Sequence, residues 1–551
     1  MGNYIIWLGV ALSFVGILQL VMAYIAKQPL LVDGFFPNKN LFAGFMVVPF
    51  SFLLSRLLFE KIIKNFPLKV AGLFLFIFIE GVSQSKGGIL SMLFSFLLIY
   101  IYYTVNKKMV KDQPAQQKIK TFLIQIMAAI IIVSAFTGLT VTGQKMITPS
   151  ADKFVFNRLG IWKSSLLMIK DKPLTGYGIG SYERIFPKYN FPAKAIARYQ
   201  MGTPFAHNEL LQIGATVGLG GMVLAIFIAF ILLKNITPVT GHRKLWAATT
   251  GAYFAIVALF FHSIFDFNLH NPGTLFIFAI LAAIVVNEKA LIQVVPKNVF
   301  FLVRLYYFPA LLVFFIIITF LLRVPVAKYY YADYMANSTY SSLYSAHLIE
   351  PYNSIYLAEL GSQNILAHDY KKAVHFFERA LKFDSRSRLY NIYLARTYTD
   401  MRAYKDAERY YKEAIKCEPF FASTYVELAD FYYNNLNDSA AATTTLLKAI
   451  DLEPNYVKAR NNLAILYREQ HRPASALFQY DAAEVALETL TPTTAYEKEM
   501  FSVPKEVLYF NKANALTALK RTSEACYYFK KSYTLSHNPH TLALMSPACS
   551  K

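Results

Sequence analysis

The chain has 551 residues, of which 55% are hydrophobic and 16% aromatic, with a mean hydropathy of +0.35. That is too apolar for a single soluble domain and predicts several membrane-spanning helices. The formal net charge of +21 does not point to nucleic acid. The basic residues sit in short connections between apolar runs or beside acids on soluble helices, and no basic run is interleaved with aromatics to track phosphates.

The first apolar segment, 4–25, lacks a basic leader and is long for a signal-peptide core, so it reads as a retained membrane helix. Others follow at about 40–58, 67–83, 88–105, 121–141, 207–233, 246–265, 273–286 and 299–322. About 20 residues cross the hydrocarbon core, so the expectation is a polytopic bundle of about nine transmembrane helices, the segments 67–83 and 273–286 being short. The basic connections carry Arg56, Lys61, Lys64 and Lys69, then Lys107, Lys108, Lys111, Lys118 and Lys120, then Lys234, His242, Arg243 and Lys244, then Lys289 and Lys297. All fall on one side if each segment crosses once, and the positive-inside rule makes that side cytoplasmic. The loops at 26–39, 84–87, 142–206 and 266–272 then face outward, as does everything after Leu322.

Beyond Leu322 the chain becomes repetitive. Ala346, Ala380, Ala414, Ala449 and Ala483 recur at about 34 residues, with Ala373, Ala407, Ala442 and Ala476 seven residues ahead of the last four. Pro351, Pro419 and Pro454 close the corresponding units. Small residues at two fixed points of a helix–turn–helix unit predict tetratricopeptide repeats, four to five of them, with Tyr393, Tyr398, Tyr425 and Tyr432 filling the gaps. A unit around Ala525 is out of phase, which an insertion near 489–504 explains. Such superhelices bind or scaffold. The fold class is therefore all-α, a membrane bundle followed by a repeat superhelix, divided as 1–34, 35–322 and 323–551. Cys417, Cys526 and Cys549 have no metal or redox spacing and read as structural or incidental thiols.

Chemistry-bearing residues gather in the segments that face outward. Glu80 sits in a nearly apolar helix, and the turn Ser83-Gln84-Ser85-Lys86-Gly87 follows it. The large loop carries Arg158 and Trp162, then Pro173-Leu174-Thr175-Gly176-Tyr177-Gly178-Ile179-Gly180. His207, Asn208 and Glu209 open the next apolar segment, with Gly218 and Gly221 further along it. His262 and Asp266 lie four apart, on one face of a helix near its outer end. An ionisable group at a membrane boundary is costly to keep, so His207 is a functional candidate, weighed against an idle histidine at a helix start. The glycines of the loop would permit tight turns, and Gly218 and Gly221 close helix packing.

The Ser-Lys-Gly turn, the Arg158-(x)3-Trp162 pair with its Pro-Leu-x-Gly-x-Gly segment, and His207-Asn208-(x)9-Gly218-x-x-Gly221 resemble the O-antigen ligase and polymerase superfamily. The Pro37-Asn38-Lys39-Asn40 entry to the second helix resembles the start of its shared domain, and the resemblance covers roughly 35–290. It implies transfer of a glycan from an undecaprenyl diphosphate carrier at the outer face of a bacterial inner membrane, without metal or cofactor. The repeat domain would then lie in the periplasm. The acceptor expected first is lipid A–core. An O-linked protein oligosaccharyltransferase, an O-antigen polymerase and a non-catalytic membrane scaffold are the alternatives, and a protein partner at the repeats fits any of them. By resemblance, His207 is the candidate base or acceptor-positioning group, and Arg158 meets the diphosphate, where a planar guanidinium suits phosphate geometry. Lys86 stands where many relatives carry arginine, a point charge without bidentate geometry. For both cations the simpler reading is headgroup contact or snorkelling. Asn208, Glu209, Glu80, Trp162, His262 and Asp266 are candidates for substrate binding or support of the site.

Overall fold

The computed structural model describes residues 2–25, 32–34, 36, 38–60, 65–106, 123–133, 135, 157–190, 197–198, 203–235, 243–286 and 322–549, and every regular element among them is helical. All of the expected span 299–322 but its last residue, with His242, Lys289, Lys297 and the lysines at 61, 64, 107, 108, 111, 118 and 120, lies outside the described residues. Two compact units emerge, one of Met1–Tyr182 with Thr203–Val299, the other of Glu183–Gly202 with Phe300–Lys551.

In the first unit the helices are α1 Gly2–Ile25, α2 Lys39–Phe59, α3 Phe66–Val82, α4 Lys86–Val105, α5 Leu123–Val133, α6 Asn157–Asp171, α7 Tyr182–Ile185 (its first residue), α8 Glu209–Asn235, α9 Arg243–His262 and α10 Pro272–Val286. Among the described residues α1, α2, α4 and α8 are long and apolar enough to cross a membrane, and α5, α9 and α10 are shorter apolar helices. The centre is α2, whose residues are buried almost without interruption from Leu41 to Phe59. An all-round apolar sequence leaves no polar face to keep wet, so α2 is surrounded by α1, α3, α4 and α9. Gly251 lets α9 approach the Phe52 backbone, where an added Cβ would lie 2.9 Å from the Phe52 Cα. The hydroxyls of Ser51 and Ser95 join α2 to α4 at 2.7 Å. In contrast, Val223, Leu224, Phe227 and Phe230 on the second half of α8 are exposed apolar side chains, a surface suited to lipid.

The second unit is a helical-repeat array. After a helix over 322–337, which is α11, come α12 Tyr340–Ile349 and then hairpins α13 Ser354–Leu366 with α14 Tyr370–Phe383, α15 Arg388–Asp400 with α16 Tyr404–Cys417, α17 Ala422–Leu436 with α18 Ser439–Leu452, and α19 Val457–Glu469 with α20 Pro473–Thr489. A fifth hairpin, α22 Lys505–Ala518 with α23 Thr522–Ser536, follows the short α21 Ala495–Met500, and α24 Pro539–Cys549 ends the array. The alanines at both periodic positions are fully buried, because a larger side chain would hold the paired helices apart. The phase slip near 489–504 is α21, which begins in a capping box between Thr494 and Glu497. Two of the three cysteines are not incidental: Cys526 and Cys549 form a disulfide that ties α23 to α24. Their separation of 23 residues hid a pairing that the helical hairpin brings to a Cα–Cα distance of 5.0 Å.

Candidate active site

The site is built on the start of α8. Asn208 caps this helix, its Oδ1 accepting from the Leu211 N–H at 3.0 Å, and His207 before it takes a left-handed backbone with φ of 50°. That turn is stitched to the segment after α9: the Glu209 N–H donates to the Ser263 carbonyl at 2.9 Å and Asn208 Nδ2 to the Ile264 carbonyl at 3.0 Å. Glu209 reaches further, accepting from the Leu269 N–H at 2.8 Å and pairing with His270 Nδ1 at 2.8 Å. This hydrogen bond to Glu209 raises the His270 pKa above its usual 6.5, against burial.

Asp266 is the point of convergence. It is 2% exposed, its Oδ1 lies 3.3 Å from His207 Nδ1, and its Oδ2 lies 3.7 Å from Arg158 Nη2. Burial acts to raise its pKa, but the His207 hydrogen bond and charge, aided by the charge of His262 and the Phe267 N–H, hold it below the usual 3.8. An ionised carboxylate can only accept, so the hydrogen of this contact is carried by His207 Nδ1. Phe267 packs edge-on to the His207 ring with centroids 5.1 Å apart and stacks on Phe205 at 4.1 Å, which fixes the imidazole plane. The expected helical relation of His262 and Asp266 differs in detail. Helix α9 ends at His262, and Asp266 sits in the turn beyond, its N–H donating to the His262 carbonyl at 3.1 Å.

Arg158 reaches this carboxylate because of a loop that docks into a break in α8. Gly218 interrupts that helix with φ of 87° and ψ of −179°. The Pro-Leu-x-Gly-x-Gly backbone enters the gap: Tyr177 N–H donates to the Ala215 carbonyl at 3.0 Å, Gly178 N–H to Thr216 at 2.8 Å, and Leu219 N–H to Pro173 at 2.7 Å. A Cβ on Gly218 would stand 2.4 Å from the Leu174 carbonyl oxygen, and one on Gly176 would stand 2.4 Å from the Thr216 carbonyl carbon. Gly218 therefore serves backbone-to-loop contact rather than the helix-on-helix packing expected of it. The atoms nearest to a Cβ on Gly221 belong to Val217 and Ile213 of its own helix. The loop closes α6 against α8, and α6 carries Arg158. Trp162, one turn along α6, has its indole N–H buried without an acceptor among the described residues.

The other predicted residues lie around the first turn of α4. Ser85 caps it, accepting from the Gly88 N–H at 3.2 Å. A Cβ on Gly87 would lie 3.2 Å from His262 Nε2, so His262 abuts this turn, while its Nδ1 is bonded to Asn268. Lys86, the first residue of α4, shares its surroundings with Lys39, the first residue of α2, closely enough for the two charges to repel. Glu80 is buried against Gly88 and Ala43, and neither carboxyl oxygen has a partner among the described residues. The structure thus joins His207, Asp266 and Arg158 directly, with Asn208 and Glu209 holding the same turn and His262 below it. Lys86 opens α4 and Glu80, on α3, lies against Gly88 of that turn, and among the described residues no hydrogen bond or ion pair joins either to those three. Sequence reasoning noted His270 beside Asp266 and Lys39 in the entry motif without giving either a role, and it missed Asn268. His270 follows Asp266 closely and Lys39 stands in the quoted entry motif, but nothing linear links them to Glu209 and Lys86. No group of three or more His, Cys, Asp or Glu among the described residues is arranged to hold a metal.

Residues 71–226 match the O-antigen ligase family, and residues 392–417, 422–456 and 445–478 match tetratricopeptide repeat families. An uncharacterized protein of Haemophilus influenzae is 25% identical over 133 residues, 23% of this chain and 33% of its own length. The chain thus spans a third of that relative. Among solved structures, the MamA protein aligns at 20% identity over 33% of this chain and 91% of its own, with a TM-score of 0.27. PilW, a type IV pilus biogenesis factor, aligns at 20% over 36% and 86% with 0.29. Pseudomonas aeruginosa PilF aligns at 15% over 41% and 96% with 0.33.

Proposed function

We propose that this chain, which carries an O-antigen ligase domain at residues 71–226 and tetratricopeptide repeats within 392–478, transfers a glycan from an undecaprenyl diphosphate carrier to a hydroxyl acceptor. The reaction takes place at the outer face of a bacterial inner membrane, with lipid A–core as acceptor. One observation carries this reading: His207 and Arg158, far apart in sequence, meet on the single buried carboxylate of Asp266. The pairing puts a base beside a cation that can meet a phosphate. As the acceptor oxygen bonds to the anomeric carbon, its proton passes to His207 Nε2. The bond from that carbon to the diphosphate breaks, and the carrier diphosphate leaves with the electron pair, its charge met by Arg158. Lys86 and Lys39, at the first turns of α4 and α2, supply further positive charge, reinforced by the helix dipoles. The residues in these roles lie in or next to four loops that the positive-inside reading puts on one side, which supports an outward-facing site.

A second reading has a specific observation behind it. Residues of the large loop already lie on the repeat unit, Arg184 pairing with Asp384 and the Arg198 N–H donating to Glu453, and a surface that grips polypeptide favours a protein hydroxyl as acceptor. The test is a deletion strain rescued with the native chain or with His207→Ala, probed for lipopolysaccharide, glycoprotein and carrier-linked glycan together. Polysaccharide stranded on the carrier with bare lipid A–core is the expected result for the variant. Lost glycoproteins with normal lipopolysaccharide support the second reading, and single-repeat caps support a polymerase. Full rescue by His207→Ala, with equal amounts in the membrane, refutes the transferase and leaves the scaffold.

A further inference from the structure

The outer surface of α6 has a composition that contact with water does not explain. Its outward stripe is Leu159, Lys163, Leu166, Leu167 and Lys170, all exposed and spaced as successive turns of one helical face. The opposite stripe is already buried, and its Ile169 reaches α8, where a Cβ on Gly214 would stand 2.7 Å from it. The outward leucines therefore do nothing for the packing of the helix. The docked loop that follows repeats the pattern, with Leu174 80% and Ile179 90% exposed. Ile179 stands between Gly178 and Gly180, both at positive φ, and a Cβ on either would meet nothing within 4 Å. The Ser181 N–H closes this turn on the Gly178 carbonyl at 3.2 Å, so the isoleucine is held outward by a formed turn. Helix α8 fixes the level at which this happens. Ala215, Thr216 and Gly218 are buried, whereas none of the residues from Leu219 to Ile231 is. The helix thus leaves protein surroundings at its break. Counted back from Asn235, the end of α8, the about 20 residues that cross a hydrocarbon core end near Thr216. The loop binds α8 through Ala215, Thr216 and Leu219, at that same level.

We infer that α6 and the docked loop rest on the bilayer, with Leu174 and Ile179 inserted at the boundary between headgroups and acyl chains. Phospholipid is the partner that covers the leucine stripe. Two features of the surface choose lipid. It runs on without a polar break into the exposed apolar side chains of α8 below Gly218, such as Val223 and Phe227. It also carries lysines among its leucines, and a lysine at such a boundary lays its stem on apolar surface while its ammonium rises to the phosphates. The depth is bounded from below as well. The backbone of a turn has polar groups that need water, so the loop stops at the boundary and only its side chains go further. A second copy meeting this face about a twofold axis would bring the same lysines together, which disfavours a protein partner. Arg158 opens the helix so anchored, and contact with the leaflet steadies the element that carries its guanidinium. The inference rests on α8 crossing the membrane and survives if the transfer reaction proves otherwise.

The experiment uses the full-length chain in vesicles of phosphatidylethanolamine with phosphatidylglycerol. Cys417→Ser removes the free thiol and leaves the Cys526–Cys549 disulfide. Single cysteines are then introduced for a bimane label: Ile179→Cys at the loop tip, Leu166→Cys on α6, Phe227→Cys on α8, and Lys412→Cys on the exposed side of the repeat array. Each is read with and without a phosphatidylcholine that carries a nitroxide at the top of its acyl chain. The nitroxide is expected to lower emission about twofold at 179, 166 and 227 and to leave the label at 412 unchanged. Aqueous iodide should act in the opposite order. A label at 179 or 166 that the nitroxide does not quench, beside a quenched label at 227, overturns the assignment. If iodide fails to reach that label too, protein covers the face instead of lipid. An unquenched label at 227 removes the membrane level itself and overturns the assignment with it.

Discussion

Replacing Asp266 by asparagine keeps the shape of the side chain and removes its charge, which makes it the sharpest probe of the site. The two ion pairs are 3.3 Å to His207 and 3.7 Å to Arg158. At an effective dielectric of about 20, charges at such separations attract by about 4–5 kcal/mol, and in water by about 1 kcal/mol. His207 and Arg158 are 28% and 36% exposed, so a value of about 2 kcal/mol is taken between those limits. In the proposed reaction His207 takes up the acceptor's proton, so the attraction to Asp266 matters most toward the transition state. The loss therefore falls on kcat, by about 30-fold for about 2 kcal/mol, with KM for the lipid-linked donor changing less than threefold. The assay is transfer by purified full-length protein in detergent, from undecaprenyl-diphosphate glycan to lipid A–core, followed by the mobility of the acceptor. A kcat within threefold of native for Asp266→Asn, in a preparation where His207→Ala is inactive, would sink the proposed role of the carboxylate.

Gly218→Ala should detach the docked loop, since an added Cβ would meet the Leu174 carbonyl at 2.4 Å in a backbone region that only glycine occupies readily. A cost of about 1–3 kcal/mol should appear as protease sensitivity within 172–182, and undiminished resistance would contradict the docking. The His270–Glu209 pair carries a pH signature, because the histidine's pKa is raised in the folded chain above 6.5. Its stabilising effect is full below about pH 6.5 and is lost as pH rises through the raised folded value. Melting temperatures at pH 5.5 and 8.5 should therefore diverge more for the native chain than for His270→Gln, and identical pH slopes would refute this. In the repeats, Ala414→Leu should overpack a fully buried helix contact and cost about 1–3 kcal/mol. Calorimetry should show it as a fall of several degrees in the array's transition, whereas an unchanged transition would mean the helices tolerate separation there.

What the sequence determined by itself was whatever depends on local periodicity. Apolar runs long enough to cross a bilayer stand out because burial of backbone in lipid demands unbroken helix. The alanine positions of the repeats stand out because each hairpin faces its neighbour in the same way, so Ala380, Ala414 and Ala449 recur in step. Even the phase slip was legible, since the insertion at α21 displaces everything after it by a fixed amount. His207 and Asp266 were visible as ionisable residues at the ends of apolar runs, and Arg158 as the arginine of the loop motif.

Their assembly was decided only by the tertiary structure. Nothing in the linear order says that one carboxylate serves both His207 and Arg158, or that Glu209 selects His270. Those partners are 59 and 61 residues or more away along the chain and are set by how α8 and the turn after α9 are stitched together. Gly218 shows the same division. A glycine in an apolar helix reads as a packing contact, and only the docked loop reveals a break through which another stretch of backbone hydrogen-bonds. The pairing of Cys526 with Cys549 and the contacts of Arg184 with Asp384 and of Arg198 with Glu453 likewise arise from the hairpin repeat in three dimensions. Sequence fixes a residue's type and its helical face, but partners across a fold are chosen by packing, which no local pattern encodes.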